Sequence, residues 1–223
     1  MLQRRRATIG VLALLTGMTS LVSAAGSAPA AKAAMPMAST AATNPSKVQP
    51  LKVGGLAPAV VVRNPDGTDR KFDPQSLRKP AVLIFYRGGW CPYCNAHLGA
   101  LKAAEPQLLK LGYDLYFLSA DRPAILYSSL KEPDVKYTLL SDARMNAARA
   151  FGVAFRLDDA TYAQYKTYGI DLEVASGEKH HELPVPAVFI IGTDGRIRFA
   201  HWNADYKQRL AAEPLLAAAK AAL

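Results

Sequence analysis

Ala81-Val82-Leu83-Ile84-Phe85-Tyr86-Arg87-Gly88-Gly89-Trp90-Cys91-Pro92-Tyr93-Cys94 is the stretch that decides the fold of this chain. Its first six residues are continuously apolar, as a central strand buried on both faces should be. Arg87-Gly88-Gly89 softens the chain into a turn. Pro92 suits the first position of a helix, where its missing N–H leaves nothing unpaired. The stretch therefore reads as strand, turn and helix, with Cys91 at the helix N-terminus. Unpaired backbone N–H groups and the helix dipole favour a thiolate there, and the nearby Arg87 adds to that effect. Cys94 lies three residues on, one turn deeper on the same face. A disulfide between the two needs little rearrangement. The expected division of labour is that Cys91 attacks and Cys94 resolves.

These two are the only cysteines among 223 residues. That excludes a disulfide-rich scaffold and any four-cysteine zinc or iron–sulfur site. A static disulfide at this spacing would close too small a loop to constrain the unfolded chain much. A metal site built from Cys91, Cys94 and His97 lacks the four ligands of a closed zinc site. The expectation is a redox pair with no metal and no cofactor. Half the residues are hydrophobic, which excludes a wholly disordered chain and supports a sizeable core. The net charge of +9 is spread without a Lys/Arg block beyond residue 24, and no aromatic residues interleave with basic ones. No nucleic-acid partner is expected.

Working outward, Leu115-Tyr116-Phe117-Leu118 and Val188-Phe189-Ile190-Ile191 repeat the buried-strand signature. Val60-Val61-Val62 ends in the turn Asn64-Pro65-Asp66-Gly67, and Ile197-Arg198-Phe199-Ala200 follows the hairpin turn 193–196. A helix is expected over Pro92 to Leu111, interrupted by Pro106. Asp121 is expected to cap a helix running from Pro123 to about Leu130. Asp142 is expected to open another that ends at the C-cap Gly152. Glu213-Pro214 opens the last. Alternating strands and helices give an α/β sandwich, a parallel core sheet covered by helices with an antiparallel edge.

The first residues read as an address. Arg4-Arg5-Arg6, the apolar run Ala7 to Met18 and Val22-Ser23-Ala24 match a cleaved signal peptide over residues 1–24. The run is shorter than the ~20 residues needed to span a bilayer. An exported protein is expected, in a bacterial periplasm, with no membrane attachment after cleavage. Residues 25–50, rich in Ala, Pro and Ser, read as a disordered linker, and the folded part is expected over 51–223.

Several other residues carry plainer readings. Tyr162, Tyr165 and Tyr168 are spaced as a packing stripe. His180-His181 reads as an exposed loop pair, Asp158-Asp159 as a helix cap, and His201 and Trp202 as structural. Tyr86 and Tyr93 are placed to donate hydrogen bonds near Cys91, with a plain core role as the alternative for Tyr86.

Trp90-Cys91-Pro92-Tyr93-Cys94 after a core strand resembles a thioredoxin-fold active site. Val53-Gly54-Gly55-Leu56-Ala57-Pro58, Leu118-Ser119-Ala120-Asp121, Leu139-Leu140-Ser141-Asp142 and the Asp194-Gly195 turn resemble the peroxiredoxin (AhpC/TSA) family. The resemblance covers about residues 51–223. It implies a thioredoxin-like, peroxiredoxin-type three-layer sandwich with a mixed central sheet. It also implies a thiol-dependent oxidoreductase that reduces hydroperoxides through Cys91 and Cys94 and is recharged by a thioredoxin-like reductant. Arg87, Gly88, Trp90, Pro92, Tyr93 and Pro186 are expected to support the site. The chain departs from the family at Gly88, where a Thr or Ser is usual, at Ile84, where a Pro is usual, and at Pro186, where an Arg is usual. Pro186 instead matches the proline that thioredoxins hold in cis beside the disulfide. A thiol–disulfide exchanger acting on protein disulfides is the alternative reading.

Overall fold

A computed structural model describes residues 40–129 and 136–223. The expected signal segment lies outside these residues, as do positions 25–39 of the expected linker. Nine strands and seven α-helices are present among the described residues. Strands β1 (Val60–Arg63), β2 (Asp69–Phe72), β3 (Ala81–Tyr86), β4 (Asp114–Ser119), β5 (Thr138–Ser141), β8 (Ala187–Ile191) and β9 (Ile197–Trp202) form one sheet. Its order is β2-β1-β5-β4-β3-β8-β9. Strands β3, β4 and β5 are parallel; β8 and β9 on one side and β1 and β2 on the other pair antiparallel. The sheet is therefore mixed, as the resemblance implies. Strands β6 (Ala154–Arg156) and β7 (Glu182–Pro184) form a separate antiparallel pair.

All six residues of β3 are buried, because both faces of the sheet are covered. The period-two alternation of the strand sorts them into two cores. Ala81, Leu83 and Phe85 join Phe151, Phe189 and Leu118 on one face. Val82, Ile84 and Tyr86 join Cys91, Cys94, Leu101 and Leu215 on the other. Phe85, Phe151 and Phe189 form an aromatic trio with centroids 5.1–6.0 Å apart, and burial of each ring contributes ~1.5–3 kcal/mol. The cysteine face is covered by α1 (Pro92–Lys102), α2 (Glu105–Lys110) and α7 (Ala212–Ala221). Pro106 divides α1 from α2, since it has no N–H to offer the carbonyl one turn back. The other face carries α4 (Asn146–Ala150) and α6 (Leu172–Ser176), with tyrosines of α5 (Asp159–Thr167) against it; α3 spans Pro123–Ser129. No helix among the described residues is long and apolar enough to cross a membrane.

Three expectations change here. Residues 40–50, read as linker, are structured. Ala42 exchanges backbone hydrogen bonds with Ala154 and Arg156 (2.9 and 2.8 Å), Leu51 N–H donates to Phe151 O, and Val48 is buried. A segment rich in Ala and Pro can dock when a strand edge offers its main chain as partner, and β6 does so. Asp142 does not begin α4 directly. A turn through Met145, at φ +58°, intervenes, and the Asp142 carboxylate reaches over it to accept from Ala147 N–H (2.9 Å) and Ala148 N–H (2.7 Å). Asp121 does not cap α3; its side chain turns toward the cysteine loop.

Candidate active site

The turn 87–91 leaves the end of β3 and delivers Cys91 as the N-cap residue of α1, with Pro92 in the first turn. Cys91 N–H donates to Gly88 O (3.1 Å), and the Asn95 amide donates to Gly89 O (2.9 Å), closing the loop on the helix. Both thiols are free and both are buried, each 1% exposed. The Cys94 side chain donates to the Cys91 sulfur, and this is the main cause that pulls the Cys91 pKa down to about 6. Burial opposes the shift; the Cys94 backbone N–H and the charges of Arg87 and Arg209 reinforce it. The same pairing pushes Cys94 strongly upward, so Cys91 holds the negative charge. A helix-start sulfur with a lowered pKa is a nucleophile at neutral pH.

Arg87 is 3% exposed and lies beside three rings, those of Trp90, Tyr165 and Tyr206, at 5.1, 5.5 and 4.1 Å from their centroids. It also donates to the Tyr165 hydroxyl. Ring faces stabilise a desolvated guanidinium without neutralising it, so its charge remains available to the sulfur. Where the resemblance implies an arginine this chain has Pro186, and the cations beside the pair are Arg87 at the end of β3 and Arg209.

Gly88 has φ +152°, and a β-carbon there would sit 2.3 Å from Trp90 Nε1 and 2.8 Å from Asp121 Oδ1. The indole occupies the space that the usual Thr or Ser side chain would need. Trp90 packs edge-on against Tyr165, with centroids 6.1 Å apart. Asp121, fully buried, accepts from Gly89 N–H and Ser119 Oγ (2.7 Å each), and its burial raises its pKa. It fastens the cysteine turn to the end of β4. Tyr86 is core, with its hydroxyl on Ser119 and its pKa raised by burial. Tyr93 is exposed and stacks edge-on with Tyr206 at 5.6 Å.

Pro186 lies along a cavity of about 230 Å³ that Arg87, Tyr165 and Tyr206 also line. Its peptide bond is trans, not cis. Val185 N–H donates to Val153 O and Pro186 O accepts from Asn203 N–H, so the chain runs straight through as part of a ladder. His97 lies against a backbone carbonyl, Leu210 O, at 2.9 Å. A carbonyl can only accept, so Nε2 carries the proton and is not free to bind a metal. Among the described residues no cluster of His, Cys, Asp and Glu has metal-site geometry. His180 and His181 are not a free loop pair. His180 meets Ala143 O at 2.7 Å, and His181 meets Glu173 at 2.8 Å and stacks on Tyr162. Asp158 caps α5 through Thr161 N–H, as expected.

Four site residues escaped the sequence reading: Asp121, Tyr165, Tyr206 and Arg209. Asp121 had a usable signal. Parallel neighbours end at the same sheet edge, and Tyr86 pairs with Ser119, so residues two past each strand meet. Tyr165 was read as packing, and Tyr206 and Arg209 carried no pattern.

The sequence profile of the AhpC/TSA family matches residues 53–200. A putative peroxiredoxin bcp of Haemophilus influenzae is 33% identical over 108 residues, covering 48% of this chain and 68% of the relative. The peroxiredoxin Bcp of Escherichia coli is 30% identical over 107 residues, covering 48% and 67%. Among solved structures, a peroxiredoxin-like protein from Aquifex aeolicus superimposes with a TM-score of 0.61 at 20% identity, covering 78% of this chain and 90% of that one. The profile match, the relatives and a helix-start cysteine at the end of the central parallel strand agree, and the chain belongs to the AhpC/TSA family.

Proposed function

We propose that this protein is a thiol peroxidase that reduces hydroperoxides through Cys91 and Cys94. The Cys91 thiolate attacks the terminal oxygen of the peroxide and the O–O bond breaks. The alkoxide or hydroxide leaves with a proton, and Cys91 becomes a sulfenic acid. The Cys94 thiol condenses with it, forming the disulfide and releasing water. A thioredoxin-like dithiol returns both cysteines to the reduced state by exchange.

The observation that carries this reading is Cys91 at the N-terminus of α1, with the Cys94 thiol donating to its sulfur, in a chain of the AhpC/TSA family. The peroxiredoxin relatives support the same reading. The residue pattern over 1–24 supports export to a periplasm, where the reductant would be a periplasmic thioredoxin-like protein.

The test compares hydroperoxide consumption with insulin disulfide reduction by the same reduced protein, and traps the Cys91 sulfenate with dimedone in Cys94→Ser. Faster peroxide consumption and a dimedone adduct on Cys91 support the proposal. No adduct with hydrogen peroxide, tert-butyl or cumene hydroperoxide overturns it. Disulfide reduction that outpaces peroxide consumption selects the exchanger.

A further inference from the structure

The chain between β9 and α7 runs as a strap across the cysteine helix. Asn203 N–H donates to Pro186 O at one end, and Asn203 Oδ1 and Asp205 Oδ1 accept from Asp205 N–H and Lys207 N–H along its turn. Tyr206 presses on Tyr93 and on Arg87. At the other end His97, three residues beyond Cys94 on α1, donates from Nε2 to Leu210 O. Between these anchors Arg209 reaches down, and its Nη2 lies 3.3 Å from Cys94 Sγ. Its Nη1 is buried with no partner among the described residues. Taking a guanidinium out of water in this way costs free energy, and a negative charge on the sulfur that Nη2 contacts is what would offset it.

We propose that Arg209 is a catalytic residue that activates Cys94 as the resolving thiol, and that His97 is the positioning residue that holds it there. The activation is timed by Cys91. In the dithiol form Cys91 carries the charge and accepts the Cys94 S–H, so a second thiolate beside it is strongly disfavoured. Once Cys91 is a sulfenic acid or a mixed disulfide, its sulfur is neutral and that opposition is gone, while the Arg209 guanidinium remains. Cys94 then gives up its proton and attacks Cys91 Sγ. The S–S bond forms as the S–O bond breaks, and the hydroxyl leaves as water with the proton released from Cys94. With a mixed disulfide the leaving group is the partner's thiolate. The proposal rests on the disulfide-forming half of the reading above and not on which oxidant starts it.

The experiment uses 5,5′-dithiobis(2-nitrobenzoate) on the full reduced chain in a stopped-flow instrument. Cys91 releases the first aromatic thiolate, and attack of Cys94 on the resulting mixed disulfide releases the second. Relative to the first phase, the second is expected to slow at least tenfold in Arg209→Met, with its pH midpoint displaced upward. Arg209→Lys is expected to keep part of the rate. His97→Leu is expected to slow the second phase as well, while His97→Gln, which can still donate to Leu210 O, recovers it. Second phases within twofold of the parent in both Arg209→Met and Arg209→Lys overturn the proposal. A parent that shows an Arg209-dependent second phase but consumes no hydroperoxide refutes the peroxidase reading and leaves this one standing.

Discussion

Gly88 is where one methyl group tests the geometry of the site. A β-carbon on its backbone lies 2.3 Å from Trp90 Nε1 and 2.8 Å from both Trp90 Cδ1 and Asp121 Oδ1, all closer than the 3.0 Å that real β-carbons keep. The indole has little room to retreat, being packed against Tyr165 and overlaid by Arg87. Asp121 is held by two hydrogen bonds of its own. The backbone adds a second penalty, because φ +152° is a conformation L residues rarely adopt. Such strain costs ~1–3 kcal/mol, and forcing a side chain into packed space costs another ~1–3 kcal/mol. Gly88→Ala is therefore expected to destabilise the reduced protein by about 2–6 kcal/mol. For a chain of this length that lowers Tm by roughly 4–24 °C. Gly88→Thr, which restores the family's usual side chain, is expected to do at least as much harm and not to speed peroxide reduction. Gly99 is the control: it lies in α1, is exposed, and nothing lies within 4 Å of a β-carbon there. Gly99→Ala should gain about 0.5–1 kcal/mol from helix propensity alone. Thermal unfolding followed at 222 nm, together with tryptophan emission, reads both variants. A Gly88→Ala protein whose Tm stays within about 2 °C of the parent, with unchanged emission, would refute the packing argument.

Iodoacetamide alkylation of the reduced protein should rise with pH through a midpoint near 6, where Cys91 ionises. Because the Cys94 thiol is the largest cause, Cys94→Ala should move that midpoint upward more than Arg87→Met does. Burial lifts Asp142 to about 7, above its ordinary 3.8, so the folded chain holds that proton between the two values. Its contribution to stability is full below 3.8 and is lost as pH rises through 7. Asp142→Asn should flatten the fall of Tm between pH 4 and 7, which scanning calorimetry across that range measures. A β-carbon at Gly152, φ +72°, would meet Gln49 O at 2.0 Å. Gly152→Ala should loosen residues 40–50, seen as faster amide exchange at Ala42 and Leu51.

The corrections share one cause. Asp121 beside Pro123 has every local mark of a helix cap, yet parallel β3 and β4 end side by side and the carboxylate finds Gly89 N–H instead. Residues 40–50 have no hydrophobic period, but a strand edge pairs with main chain and needs none. The Val185–Pro186 peptide is trans because both its neighbours are engaged in ladders that an extended chain satisfies.

The strand, the glycine turn and the helix-start Cys91 with Cys94 one turn on were legible from fourteen consecutive residues. Burial of a continuous apolar run, the turn freedom of glycine and the fit of proline at a first helical position are all local effects. The company those cysteines keep was not legible. Asp121, Tyr165, Tyr206 and Arg209 reach the site only because strand order and the 203–211 strap bring distant segments together. A contact between Cys94 and Arg209, 115 positions apart, leaves no periodicity or spacing in the chain. The amino-acid order alone thus determined that this protein places two thiols one turn apart at the start of a helix. Which charges and rings surround them was decided by long-range packing, while the largest cause of the Cys91 shift, the Cys94 thiol, is a neighbour in the chain.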